Sequence, residues 1–244
     1  MLSSAQHHHP KEFGDQQHLW QATLPNAINV FSTHPGCPMF DDSARNFSPA
    51  RWVGNGLNPD VAQDKNVLLL TYDLRAKKGF LERKRQNYVH FYFPSDKFDE
   101  VIYQETAAFG RIKDAYIGIR SLTPVEIVGK DELIFRGKRS HFAVVLGCFD
   151  DSFTFPSFVE KVSTAPLYAK KKSLSFQYEQ TYELNDLGSF VVDGEKMVLD
   201  YPRFDTPFVV ANRKPSRIQI ICGEKSLELD FEKGIRTERN EKAE

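Results

Sequence analysis

The chain has 244 residues, 41% hydrophobic and 27% charged, with 32 Lys and Arg against 33 Asp and Glu. That composition excludes a disordered or fibrous chain, and a formal net charge of −1 lacks the basic excess by which nucleic-acid-binding proteins usually show themselves. The skew is aromatic, with 20 Phe and nine Tyr, which suits strands and stacking surfaces better than helical bundles.

The opening residues, MLSSAQHHHPKEFGDQQ, have no basic n-region and no apolar h-region, so no secretory signal is expected and a cytoplasmic location is the default. His7, His8 and His9 are adjacent in a polar stretch, a spacing that rarely converges on one ion. Segments 18–24 and 27–34 read as two strands joined at Pro25-Asn26. Alternation puts His18 and Trp20 on one face, where core packing is favoured. His34 precedes Cys37, but a Cys/His pair without an orienting third group is a poor nucleophile site.

Residues 35–65 are rich in Pro, Gly, Asn and Asp and read as one long loop. It carries RWVGNGLNP, where Trp52 beside Asn55 suits a sugar contact and equally suits pinning a loop to a sandwich. Strands are expected at 66–74, 88–93, 100–106, 108–112, 115–121, 125–128, 132–136 and 140–148. The longest apolar run, Val67 to Leu70, is strand-sized, far short of the ~20 apolar residues of a membrane-spanning helix.

The spacing predicts a short helix near 156–163, with Pro156 at its first position. Strands at 173–179 and 181–185 follow, then a hairpin turning on Asp193-Gly194, then strands at 207–212, 216–222 and 226–231. The expected fold is all-β: one large antiparallel β-sandwich over 1–236, followed by a charged tail over 237–244. Cys37, Cys148 and Cys222 are far apart and odd in number, giving neither a disulfide framework nor metal spacing.

No Walker, GxGxxG, GxSxG or HExxH pattern is present, and no cofactor is expected. The strand from Tyr88 to Phe93 places Val89, Phe91 and Phe93 on one face and Tyr88, His90 and Tyr92 on the other. Residues 115–120 repeat the arrangement, with Tyr116, Gly118 and Arg120 opposite Ala115, Ile117 and Ile119. If these strands share a sheet, a Tyr/His/Arg surface results. It would suit sugar acids, because rings stack on pyranose faces, Arg forks onto carboxylates, and Tyr or His can move a proton. Polar-aromatic outer faces are also ordinary on antiparallel sheets.

Several segments resemble parts of a large bacterial family related to the heparinase II/III-type polysaccharide lyases: QQHLWQATL, VFSTHPG, WVGNGLNPDVAQDKNVLLLTYDL, HFYFPSDKFDEV, FGRIKDAYIGIRSL and YPRFDTPF. In those lyases an (α/α) toroid precedes a β-sandwich region. The resemblance therefore implies the β-rich C-terminal portion of a longer ancestor, with the toroid absent from this chain. It also implies acidic polysaccharide or oligosaccharide as partner; the charge balance and the short apolar runs give no reason to expect nucleic acid or membrane. In such lyases a Tyr or His takes the C5 proton of a uronate. No residue here matches a catalytic position of that kind, and Asp60 stands where the family commonly has a basic residue.

Three functions are thus open. The favoured one is a carbohydrate-active, lyase-like sandwich module that contacts acidic glycan through Trp52, Asn55, His90, Tyr92, Tyr116 and Arg120. The others are a competent β-eliminating lyase with Tyr92 or His90 as base, and an interaction module without a ligand.

Overall fold

Period-two alternation between apolar and polar residues dominates the chain, and strands follow it almost throughout. The structure, a computed structural model, describes residues 2–5, 20–35, 57–75, 86–150, 153–185, 189–197, 203–205, 209–212 and 216–240. In chain order the first strands are β1 (Leu2–Ala5), β2 (Trp20–Leu24), β3 (Ile28–Thr33), β4 (Asp60–Asp64), β5 (Val67–Asp73) and β6 (Tyr88–Tyr92). Next come β7 (Glu100–Gln104), β8 (Ala107–Ile112), β9 (Ala115–Ser121), β10 (Val125–Val128), β11 (Glu132–Arg136) and β12 (Arg139–Cys148). Helix α1 (Phe155–Thr164) precedes β13 (Leu167–Lys170), β14 (Ser173–Tyr178), β15 (Gln180–Asn185), β16 (Phe190–Val192) and β17 (Glu195–Lys196). The last five are β18 (Arg203–Asp205), β19 (Val209–Asn212), β20 (Arg217–Cys222), β21 (Lys225–Asp230) and β22 (Ile235–Asn240).

The chain divides into two compact units, Met1–Met197 and Val198–Glu244. The division falls well before the expected boundary at 236, and β22 occupies part of the segment read as a charged tail. Charge misleads there because Arg217 on β20 pairs with Glu228 on β21 at 3.0 Å, and Arg239 on β22 reaches the same carboxylate at 3.8 Å. A charged strand whose partners lie across the ladder need not fray.

In the first unit, one sheet runs β1-β2-β3-β6-β11-β10 and a second runs β4-β5-β12-β9-β8-β7, all neighbours antiparallel. Their inner faces share one core: Val89, Phe91, Leu133 and Phe135 from the first meet Leu68, Leu70, Ile117, Ile119, Phe142 and Val144 from the second. Phe91 packs edge-on to Phe142 at 4.9 Å and to Phe135 at 5.5 Å between ring centroids. Each such ring, taken fully from water, contributes about 1.5–3 kcal/mol, comparable to each buried Leu or Ile around it, so the aromatic column and its aliphatic neighbours together hold the two layers. The all-β sandwich with one short helix is therefore the architecture present.

The second sheet is covered on its other face as well. There α1 lies over β8 and β9, and a third sheet, β13-β14-β15-β16-β17, lies against β4 and β5. Double coverage explains the run from Val67 to Leu70, four buried residues without alternation. In α1, Phe155, Phe158, Val159 and Val162 are buried at helical spacing, and the Thr154 hydroxyl accepts from the Ser157 N–H at the N-cap.

One strand was hidden in the expected loop over 35–65. Asp60–Asp64 forms β4, with Val61 opposite Leu70 and Asp64 opposite Val67. Three of its five residues are polar and sit on a sheet edge, so its apolar signal reduces to Val61 and Ala62. The expected Asp193-Gly194 hairpin is present, with both residues at positive φ (49° and 85°) between the paired Val192 and Glu195.

Candidate functional site

The outward face of the first sheet follows from register. Alternation along β6 turns Tyr88, His90 and Tyr92 away from the core, and pairing sets Thr33 and Ile134 beside His90 and Phe31 and Glu132 beside Tyr92. The half-buried Tyr92 ring stacks on Phe31, with centroids 5.2 Å apart and planes at 23°. Further along the same face, the Asn29 Oδ1 accepts from Gln21 Nε2 at 3.1 Å and from Thr23 Oγ1 at 2.8 Å, which fixes the amide.

Past Tyr92 the chain leaves the sheet through Pro94 and a single turn, Ser95–Lys97. That turn is held at both ends. Ser95 donates from its N–H and its hydroxyl to the Lys130 carbonyl at 2.7 and 2.8 Å, and Phe98 stacks on Phe93 at 4.8 Å inside the core. The facing wall is the β2–β3 turn, where Asn26 and Ala27 adopt φ of 60° and 57° and the Pro25 carbonyl accepts from the Ile28 N–H. Asn tolerates that left-handed region; Ala does so at a cost of about 1–2 kcal/mol.

Between the walls lies a half-open groove of 320 Å³, lined by Asn26, Asn29, Tyr92, Pro94 and Lys97 among others. The Lys97 ammonium is 65% exposed and stands 3.8 Å from Asp96, itself 39% exposed. A pair so open to water holds its members loosely, and the ammonium remains able to meet an anion. The groove thus offers one aromatic ring, two amides and one cation.

Of the residues singled out in the sequence that the structure describes, Tyr92 alone lines this groove. His90 is completely buried, its Nδ1 2.6 Å from Glu132 Oε1. Tyr116 and Arg120 lie in the second sheet, so the conditional Tyr/His/Arg surface does not form: the two polar-aromatic faces point away from each other on opposite sides of the core. Tyr116 is 1% exposed beneath α1, with Phe155 at 5.3 Å and Phe158 at 5.5 Å. Burial raises its phenol pKa, the opposite of what a tyrosine base requires. Arg120 Nη1 donates to the carbonyls of Val162, Ser163 and Ala165, closing the C-terminus of α1. Trp52 and Asn55 lie outside the described residues.

The remaining candidates are accounted for by local bonding. Trp20 is in the core and His34 Nε2 meets the Gln86 carbonyl at 3.1 Å. His7, His8, His9, His18 and Cys37 lie outside the described residues. Sequence reasoning missed Asn26, Asn29 and Lys97. The available signals were an Asn directly after Pro at a strand junction, a polar outer-face position on β3, and a lysine in the turn that ends an aromatic strand.

Among the described residues, no group of three or more His, Cys, Asp or Glu side chains is arranged to hold a metal, and no helix is long and apolar enough to cross a membrane. Fold and site together define an all-β, helix-covered sandwich with a polar-aromatic groove open at its surface. Compared with known proteins, the chain matches no protein-family model, no curated protein and no solved structure.

Proposed function

We propose that the first unit is a carbohydrate-binding sandwich module, belonging to a polysaccharide-lyase-like protein, that takes acidic oligosaccharide in the Tyr92 groove. The carrying observation is the convergence of Asn26, Asn29, Tyr92 and Lys97 on a half-open space of 320 Å³. That volume lies at the lower end of the roughly 300–1,000 Å³ typical of small-molecule sites, enough for a short stretch of glycan. The chemistry fits a uronate: the ammonium meets the carboxylate, amides meet ring hydroxyls, and the tyrosine offers an apolar edge and a hydroxyl. The resemblance to the sandwich region of heparinase II/III-type lyases points to the same ligand class.

Binding is favoured over elimination by the burial of His90. A proton-abstracting base must touch the sugar, and His90 is enclosed and bonded to Glu132. Tyr92 would have to act without it. The test is calorimetric titration of the intact chain with oligogalacturonate and, in parallel, with a neutral oligosaccharide of equal length. Saturable binding of the acidic ligand alone is expected, with no rise in unsaturated-uronate absorbance. Equal or absent binding of both ligands overturns the reading, and a growing absorbance makes the unit a lyase.

A further inference from the structure

The charges of this chain balance overall but not locally. At one end of the sandwich three turns meet: Leu74-Arg75 after β5, Gly137-Lys138 between β11 and β12, and Lys171-Lys172 between β13 and β14. Hydrogen bonds to backbone carbonyls tie them together. The Leu74 N–H donates to the Lys138 carbonyl at 2.9 Å, and Arg139 Nη1 donates to the Lys171 carbonyl at 2.7 Å. Asp73 answers the two arginines, accepting from Arg75 Nε and Nη2 at 2.9 and 2.8 Å and lying 3.7 Å from Arg139 Nε.

Lys138, Lys170, Lys171 and Lys172 are gathered on these tied turns. All four are exposed, and among the described residues none stands within ion-pair distance of a carboxylate. Elsewhere on this unit some cations are paired across strands, Arg111 with Glu100 at 3.1 Å and Arg136 with Glu126 at 2.7 Å, and lysines without an ion pair among the described residues, such as Lys65 and Lys113, stand singly along the chain. Beside the four lysines stands an aromatic ring: Lys170 Nζ lies 5.9 Å from the centroid of Tyr168, which is 39% exposed. Gathering like charges on tied turns raises their mutual repulsion and does nothing for the fold, whereas a polyanion relieves that repulsion and releases its own counterions.

We infer that this end of the sandwich is an attachment surface for a linear anionic polysaccharide, with Lys138, Lys170, Lys171 and Lys172 contacting its acidic groups and Tyr168 carrying a sugar ring. Lysines are compact point charges on flexible stems, suited to carboxylates or sulfates whose spacing varies along a flexible polymer. Single-stranded nucleic acid is the less fitting occupant, because its grooves carry successive aromatic platforms, and Tyr168 is the one exposed ring in this cluster. The surface is distinct from the groove. Gly137 donates to the Asn87 carbonyl at 3.1 Å, at the start of β6, and Tyr92 ends that strand. At about 3.3 Å per residue, the two sites lie roughly 15 Å apart along it. The inference shares with the proposed function its ligand class and nothing else.

The test uses the intact chain, the triple variant Lys170→Ala/Lys171→Ala/Lys172→Ala, and Tyr92→Ala. Each is titrated with polygalacturonate and with dextran sulfate across a salt series, and with a single-stranded DNA oligonucleotide at matched salt. At an assumed loss of about 0.7–0.9 per neutralised charge, the triple variant's log–log salt slope should be shallower by roughly two, with at least a tenfold loss of affinity at low salt. Tyr92→Ala should keep the native slope, so failure of the groove and failure of the lysine surface read differently. Equal slopes for the native chain and the triple variant overturn the inference. Tighter binding of DNA than of either polysaccharide at equal salt also overturns it, assigning the surface to nucleic acid.

Discussion

His90 Nδ1 and Glu132 Oε1 lie 2.6 Å apart, a diagonal contact between adjacent strands β6 and β11 with both side chains fully enclosed. Removing one member of a buried ionisable pair leaves the other in a poor solvent, a loss of about 3–5 kcal/mol. Glu132→Ala should therefore destabilise the first unit by roughly 3 kcal/mol. Glu132→Gln, which keeps a hydrogen-bond acceptor in place, should lose less. Urea unfolding followed by near-ultraviolet circular dichroism measures both; equal losses would show that shape, not the polar link, is what the site needs.

Arg120 explains why the outer face of the second sheet is not a ligand surface. Its guanidinium shares the two hydrogens of Nη1 among three carbonyls at the end of α1, and a charge-assisted bond of this kind contributes about 1.5–3 kcal/mol. Arg120→Met should lower stability by about 2–4 kcal/mol and fray the last turn of α1, seen as faster amide exchange at Val162 and Ser163. Arg120→Lys should recover only part, since its stem ends one atom short of the position of Nη1.

The β2–β3 turn should respond in the opposite direction. Ala27 is exposed and held at φ 57°, where its Cβ is strained. Ala27→Gly should stabilise by about 0.5–1 kcal/mol, the strain relief exceeding the added freedom of the unfolded chain. A rise in the urea midpoint checks this, and oligosaccharide affinity should stay at its native value because the groove keeps its polar side chains.

Alkali should unfold the first unit through its buried phenols. Burial pushes Tyr178 and Tyr182 up to about 12 and raises Tyr72 further, against about 10 in an unfolded chain. Raised folded values mean that stability is fully present below pH ~10 and falls as pH climbs toward about 12, where only the unfolded state releases its protons freely. Phenolate absorbance and loss of circular dichroism should therefore rise together. Phenolate forming ahead of unfolding would contradict the enclosure of these rings.

The strands β6 and β9 were legible from alternation, and the residues read as apolar do face the core; their other faces are dry as well, with only Tyr92 and Arg120 part-exposed. What alternation does not carry is which sheet a strand joins. Val89, Phe91, Ile117 and Ile119 all read as core, yet they enter it from opposite layers, so Tyr92 and Arg120 ended on opposite sides. Nor does it reveal what covers an outer face, which is why Tyr116 reads as a surface aromatic while α1 encloses it. The groove residues Asn26 and Lys97 lie in turns, where identity reports local backbone need before it reports function.

The central claim is that Tyr92 and Lys97 together hold an acidic sugar. Its most direct measurement is calorimetric titration of oligogalacturonate into the native chain, Tyr92→Ala and Lys97→Ala, with the thermal midpoint of each protein measured alongside. The account predicts a loss of about three- to tenfold in affinity for Lys97→Ala, with an unchanged thermal midpoint and no corresponding loss for a neutral ligand. A larger loss is expected for Tyr92→Ala. Affinities equal to the native chain's in both variants, with the fold intact, would contradict it.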